Sequence, residues 1–205
     1  EHVFDQYGGD GNQATLYELN CFMSNQGARR QLVHADNACV EEGVGLHKDE
    51  PIMLTCFIAL QDVDETMGPT TWIPGTHNAE SHAMFYETTE TTAGTLSTKD
   101  TLLKTSKAAV GTLPRGACVL FDPRTLHCAT ANMCEDPTKT RALFYISFKN
   151  PRVDDPGCPS CSNMAYGIAD AELTMEVLCA ELEAQQKGSG STASTTNLDK
   201  LACFP

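Results

Sequence analysis

A histidine and a carboxylate stand two positions apart in His34-Ala35-Asp36, a further histidine follows at His127, and an arginine, Arg141, comes fourteen positions after that. Two imidazoles and one carboxylate on one face of a metal ion leave three coordination positions open, the arrangement in which non-haem iron(II) binds and activates oxygen. A guanidinium nearby can grip a carboxylate through two parallel hydrogen bonds. Together the four residues contain what an iron oxygenase with a dicarboxylate co-substrate requires.

The spacing of the first pair matters because side chains alternate along a strand, so residues two apart face the same side and can reach one ion. A second pair with the same spacing, His47-Lys48-Asp49, must be separated from it by context. His34 follows a strand-like RRQLV, whereas His47 sits in the polar stretch EEGVGLHKDEP just before Pro51. We therefore assign His34 and Asp36 as metal ligands and read His47 and Asp49 as a solvated loop. His127 lies in FDPRTLHCATAN directly after the strand-like ACVLF, which would bring it to the same mouth from another strand. Alone it would read as a core histidine holding one backbone carbonyl, and the upstream pair is what makes it the third ligand. Arg141 opens RALFYISF, with Leu143 and Tyr145 on its own face, so it can point inward to a bound anion; an internal salt bridge is the competing explanation. Gln31, Thr55 and Asn132 could donate hydrogen bonds to a cofactor near the metal, although no spacing ranks them.

These residues must be carried by strands. Leu16 to Ser24, Arg30 to His34, Ile52 to Val63, Thr70 to Pro74, Ala117 to Phe121, Leu126 to Ala131 and Arg141 to Phe148 are rich in β-branched and aromatic residues, with Gly, Pro, Asp and Asn between them. Short strands without alternating helices predict a mostly β, antiparallel sandwich or barrel, best matched by a double-stranded β-helix, a cupin-like jelly roll. One helix is expected, peripheral and C-terminal, capped by Asp170, with Leu173, Val177, Cys179 and Leu182 near one face and a stop at Gly188. Residues 1–187 then form a single domain, and the polar GSGSTASTTN opens a flexible linker and tail over 188–205.

With 205 residues and 41% hydrophobic content the chain can bury one core. A net charge of −13 argues against a nucleic-acid partner, which would need a basic face. No apolar run is long enough to cross a bilayer, so a soluble protein is expected, and an intracellular one. The opening at Glu1, without methionine or a leader, is expected of a segment of a longer precursor. Among 10 cysteines, Cys21, Cys56 and Cys118 fall in apolar strand-like runs and are expected to be buried; Cys158 and Cys161 form a lone CxxC without the second ligand pair that structural zinc requires.

In RRQLVHAD, FIALQDVDETMGPTTWIPGTH, PRGACVLFDPRTLHCATAN and RALFYISF, which together span about residues 16 to 150, the chain resembles the phytanoyl-CoA dioxygenase-like branch of the iron(II)/2-oxoglutarate oxygenases. The resemblance implies iron(II) held by His34, Asp36 and His127, 2-oxoglutarate held by Arg141, and O2 as oxidant. It further implies oxidative decarboxylation to succinate coupled to hydroxylation of a small organic molecule. It makes Trp72, in the stretch that lines the approach to the site, a substrate neighbour, while His77 reads as part of a Pro-Gly turn. Asp36 argues against a halogenase, in which the carboxylate is missing. The alternative is a jelly roll that binds metal or acts as a scaffold and is catalytically silent.

Overall fold

The computed structural model describes residues 2–39, 46–47, 50–87, 95–153 and 173–188. The chain is mostly β, with two antiparallel sheets and a C-terminal helix. The larger sheet is built from β1 (Thr15–Ser24), β2 (Met53–Ala59), β5 (Cys118–Phe121) and β7 (Arg141–Lys149), in the order β1-β7-β2-β5. The smaller contains β3 (Thr70–Trp72), β4 (Ala109–Val110) and β6 (His127–Ala129), in the order β4-β3-β6.

Alternation decides what faces inward. On β2 the buried positions are Met53, Thr55, Phe57 and Ala59, and on β7 they are Arg141, Leu143, Tyr145 and Ser147. The register sets Thr55 opposite Ser147, Phe57 opposite Tyr145 and Ala59 opposite Leu143, so one face of the large sheet is continuous. Trp72 comes from the small sheet to meet it, its ring centroid 5.4 Å from Phe121 and 6.1 Å from Phe57. Edge and tilted aromatic contacts of this kind add about 0.5–1.5 kcal/mol per pair beyond the area they bury. The main core thus lies between the two sheets, from Phe57, Ala59, Val63, Trp72, Phe121, Leu143 and Tyr145.

A second cluster, Ile73, Phe85, Leu102 and Leu126, lies under two helices beyond the single C-terminal one expected from the sequence. These are α2 (Ala79–Tyr86) and α3 (Thr98–Thr105), which follow the short α1 (His2–Asp5). Both begin with a side-chain cap: Asn78 accepts from the Ser81 N–H at 2.9 Å, and Ser97 Oγ accepts from the Asp100 N–H at 3.0 Å while donating to its carboxylate at 2.8 Å. The Ser97/Asp100 spacing was the available signal. Val33 and Ala35 pack against this cluster, so the helices support the segment that bears His34 and Asp36.

The expected strand at Arg30 to His34 is reduced to one bridge, His34 to His127, because the smaller sheet ends there. The C-terminal helix, α4 (Met175–Gly188), forms as expected and packs beside Leu16, Leu19, Ile146 and Phe148 through Leu178, with Leu173 just before it. Its expected cap, Asp170, lies outside the described residues, as do Asp49, the CxxC cysteines and residues 189–205. Cys21 and Cys118 are exposed and Cys56 half-buried: all three are on strands, but on the face of the large sheet turned from the core, which corrects the expectation of burial. Burial and the neighbouring Cys118 push the Cys56 thiol up to about 11. No described helix is long and apolar enough to cross a membrane.

Candidate metal centre

His34 and His127 face each other across the bridge, exchanging backbone hydrogen bonds of 2.9 and 2.8 Å, with ring centroids 4.6 Å apart. Each ring is fixed by its own chain. His34 Nδ1 lies 2.8 Å from the Leu32 carbonyl and His127 Nδ1 2.8 Å from the Thr125 carbonyl. A carbonyl oxygen only accepts, so both Nδ1 atoms carry the proton and both Nε2 atoms present a lone pair. Asp36 stands between them, Oδ1 3.3 Å from His34 Nε2 and Oδ2 3.5 Å from His127 Nε2. All three ligand atoms fall within 4.8 Å of one another, and no other such cluster occurs among the described residues. These separations approach the roughly 3 Å expected between adjacent ligands of an ion bound at about 2.1 Å.

The site is open on one side: the His127 side chain is 5% exposed, but those of His34 and Asp36 are 36% and 38% exposed. The environment splits the two imidazoles. Asp36, as acceptor for the protonated ring, raises the pKa of His34, whereas burial lowers that of His127. The carboxylate therefore favours a cation between the rings, and the buried ring favours the neutral form that ligates a metal.

Helix α2 fastens both ligand-bearing segments, which no motif in the sequence had indicated. The Tyr86 hydroxyl accepts the Ala35 N–H at 2.9 Å, and His82 Nε2 donates to the Arg124 carbonyl at 2.7 Å. Arg124 in turn bonds the Asp122 carboxylate at 2.6 Å and the Glu50 carbonyl at 2.9 Å, while the Asp36 N–H donates to Pro123 at 2.9 Å. The signal for this hub was the Asp-Pro-Arg turn before His127.

Arg141 occupies the first position of β7 and is 5% exposed. It donates to the Gly68 carbonyl; its Nε has no partner, and no described carboxylate pairs with it. The competing salt bridge is thus not seen among the described residues, and burial pulls the guanidinium's pKa down. An unmatched buried donor costs about 1–3 kcal/mol, more when charged, so the arginine fits a carboxylate that arrives from outside. Gly68 itself packs against the segment after β6: its φ is 70°, and a Cβ there would lie 2.5 Å from the Thr130 carbonyl oxygen.

The remaining candidates separate. Trp72 lies opposite His127 in register, facing the same interior. Gln31 staples its own segment to β6, its Oε1 accepting the Ala129 N–H at 2.8 Å. Thr55 shares a 2.9 Å hydrogen bond with Ser147, and fully buried Asn132 donates to Ser24 and accepts from Cys134 at 2.8 and 3.1 Å. His47 stacks on Tyr7 at 5.5 Å, outside the cluster.

No curated protein matches the chain. Similar solved structures include the non-heme alpha ketoglutarate dependent carbocyclase SnoK from nogalamycin biosynthesis, at 22% identity and TM-score 0.48, covering 67% of this chain and 51% of that one. EctD from S. alaskensis with bound Fe follows at 19% identity and TM-score 0.48, covering 68% and 46%. The epimerase SnoN in complex with Fe3+, alpha ketoglutarate and nogalamycin RO has 19% identity and TM-score 0.46, covering 66% and 50%. This chain spans about half the length of each. The profile of the phytanoyl-CoA dioxygenase (PhyH) family matches residues 2–140, ending one residue before Arg141, and on that match the chain belongs to this family.

Proposed function

We propose that the chain is an iron(II)/2-oxoglutarate-dependent dioxygenase domain that hydroxylates a small organic molecule. The observation that carries the reading is the convergence of two imidazole Nε2 lone pairs and one carboxylate, with both rings locked in the ligating tautomer by backbone carbonyls. Two nitrogens and one oxygen on one side, the other side open, suit iron(II) better than a closed structural zinc site. His34, Asp36 and His127 are the ligands of this reading, and Arg141 receives the distal carboxylate of 2-oxoglutarate.

Iron(II) with 2-oxoglutarate and O2 supplies the oxidising power for C–H hydroxylation, with succinate and carbon dioxide as co-products. The protein's share is positioning. The Leu32 and Thr125 carbonyls hold the imidazoles in one tautomer, Asp36 balances positive charge between them, and Arg141 fixes how far the co-substrate enters. Phe121, 5.5 Å from His127, and Trp72 close the apolar side and exclude water.

The facing antiparallel sheets support a double-stranded β-helix as the detailed fold, with residues 1–187 as one domain and 188–205 as linker and tail. The charge of −13 supports a small-molecule substrate over nucleic acid. Anaerobic titration with iron(II) and then 2-oxoglutarate tests the reading: a visible charge-transfer band forms in wild type and is lost in His34→Ala and Arg141→Ala. Well-folded wild type that gives no band, and no succinate in air, would return the chain to the catalytically silent alternative.

A further inference from the structure

Three buried side-chain donors in the described residues have no partner: Gln61 Nε2, Trp72 Nε1 and Arg141 Nε. Gln61 is tied to β7 beside Arg141, and Trp72 belongs to the core cluster that continues from there. Gln61 Oε1 accepts the N–H of Ala142, the residue after Arg141, at 3.2 Å. A backbone N–H only donates, so the amide's orientation is fixed and its NH2 is the free end. Gln61 lies between Ala59 and Val63, which share a core cluster with Trp72 and Leu143, the next inward residue after Arg141. The benzo edge of Trp72 abuts Gly111, where a Cβ would come within 2.7 Å of Cζ3, so the edge bearing Nε1 turns away from that contact.

The deficit is one-sided. A water molecule in this region would accept from two of the donors but bring two O–H donors of its own, moving the deficit without removing it. A carboxylate brings only acceptors, with about four lone-pair sites on two oxygens. We propose that Gln61 and Trp72 join Arg141 as a neutral-plus-charged donor cradle for the distal carboxylate of the 2-oxo acid, and so select dicarboxylate over monocarboxylate co-substrates. This rests on the oxygenase reading above. Thr55 and Asn132, whose side chains are matched inside the protein, take no part.

The test uses protein loaded with manganese(II) and isothermal titration with 2-oxoglutarate and with 2-oxobutyrate, which lacks the distal carboxylate. Trp72 is the only tryptophan, so its emission in wild type also reports occupancy directly. Trp72→Phe and Gln61→Leu are each expected to weaken 2-oxoglutarate about 10-fold while leaving 2-oxobutyrate within about 2-fold. Gln61→Glu, which keeps the shape but replaces donors by a carboxylate, should weaken it further, an ordering that a mere packing role would not produce. Unchanged 2-oxoglutarate affinity in the three variants, with loss in Arg141→Gln, would overturn this inference alone. Wild type that binds metal but not 2-oxoglutarate would overturn the oxygenase reading beneath it.

Discussion

Tyr86→Phe removes one oxygen atom, the acceptor of the Ala35 N–H at 2.9 Å, and so tests whether α2 sets the ligand geometry. Ala35 is the residue between the two ligands, and its peptide plane decides where His34 and Asp36 point. A neutral hydrogen bond contributes about 0.5–1.5 kcal/mol. Tyr86 is 52% exposed, so water can replace part of it, and the lower half of that range applies. Unfolding should therefore move down by only about 1–4 °C, at about 2–4 °C per kcal/mol for a chain of this size. Loss of ligand order should cost more in the metal site than in the fold. We expect manganese(II) affinity to fall about 5-fold, near 1 kcal/mol, measured by isothermal titration beside thermal unfolding of the metal-free protein. His82→Leu, which releases the Arg124 carbonyl on the other ligand-bearing segment, should weaken metal binding by a similar factor, and more in combination. Wild-type metal affinity in both variants would refute the clamp.

Manganese(II) at about 100 times its dissociation constant should stabilise wild type by about 2.7 kcal/mol, or about 5–11 °C. His34→Ala and His127→Ala should abolish this shift in a thermal melt, while His47→Ala retains it, since His47 stacks on Tyr7 away from the cluster. In metal-free protein, the raised pKa of His34 gives stability that is full below its ordinary 6.5 and lost as pH rises through the folded value, whereas the lowered pKa of His127 destabilises the fold as pH falls below 6.5. Denaturant midpoints across this window should lose the first effect in Asp36→Ala and keep the second; superimposable profiles would disprove the assignment of cause. With its thiol near 11, Cys56 is about one part in 10,000 thiolate at pH 7, so mass spectrometry should find it alkylated far more slowly than exposed Cys21.

Strand positions were legible because alternation and β-branched content are local properties. RALFYISF reads as a strand with Arg141, Leu143 and Tyr145 on one side, and β7 buries those residues. Burial of the opposite face was not legible, because Cys21 and Cys118 sit in runs as apolar as the buried ones, and only the sheet order determines which side meets Trp72. The helices α2 and α3 escaped notice since AESHAMFY and TKDTLLKT are short and weakly patterned, and their stability comes from caps and from Phe85 and Leu102 against Ile73 and Leu126. Of the candidate site, the residues with chemistry of their own could be named from type and spacing. Their supports could not: the carbonyls of Leu32, Thr125 and Pro123 have no side-chain signature, and Tyr86 lies 51 positions from the N–H it accepts.

The same reasoning gives Gln31, Thr55 and Asn132 structural roles of their own. Each is a donor and acceptor near a ligand in sequence or on a core strand, and each makes a side-chain hydrogen bond within the protein. Gln31 pairs with both backbone groups of Ala129, and so secures the segment on which His34 makes its only strand bridge. A bridge of one residue has no ladder to hold it, and its geometry depends on such flanking bonds. Among the described residues, the buried side-chain donors left without a partner are Gln61 Nε2, Trp72 Nε1 and Arg141 Nε, which leaves these atoms free for a ligand. Hydrogen-bond accounting therefore distinguishes residues that build the site from residues that use it, a distinction that residue type cannot make.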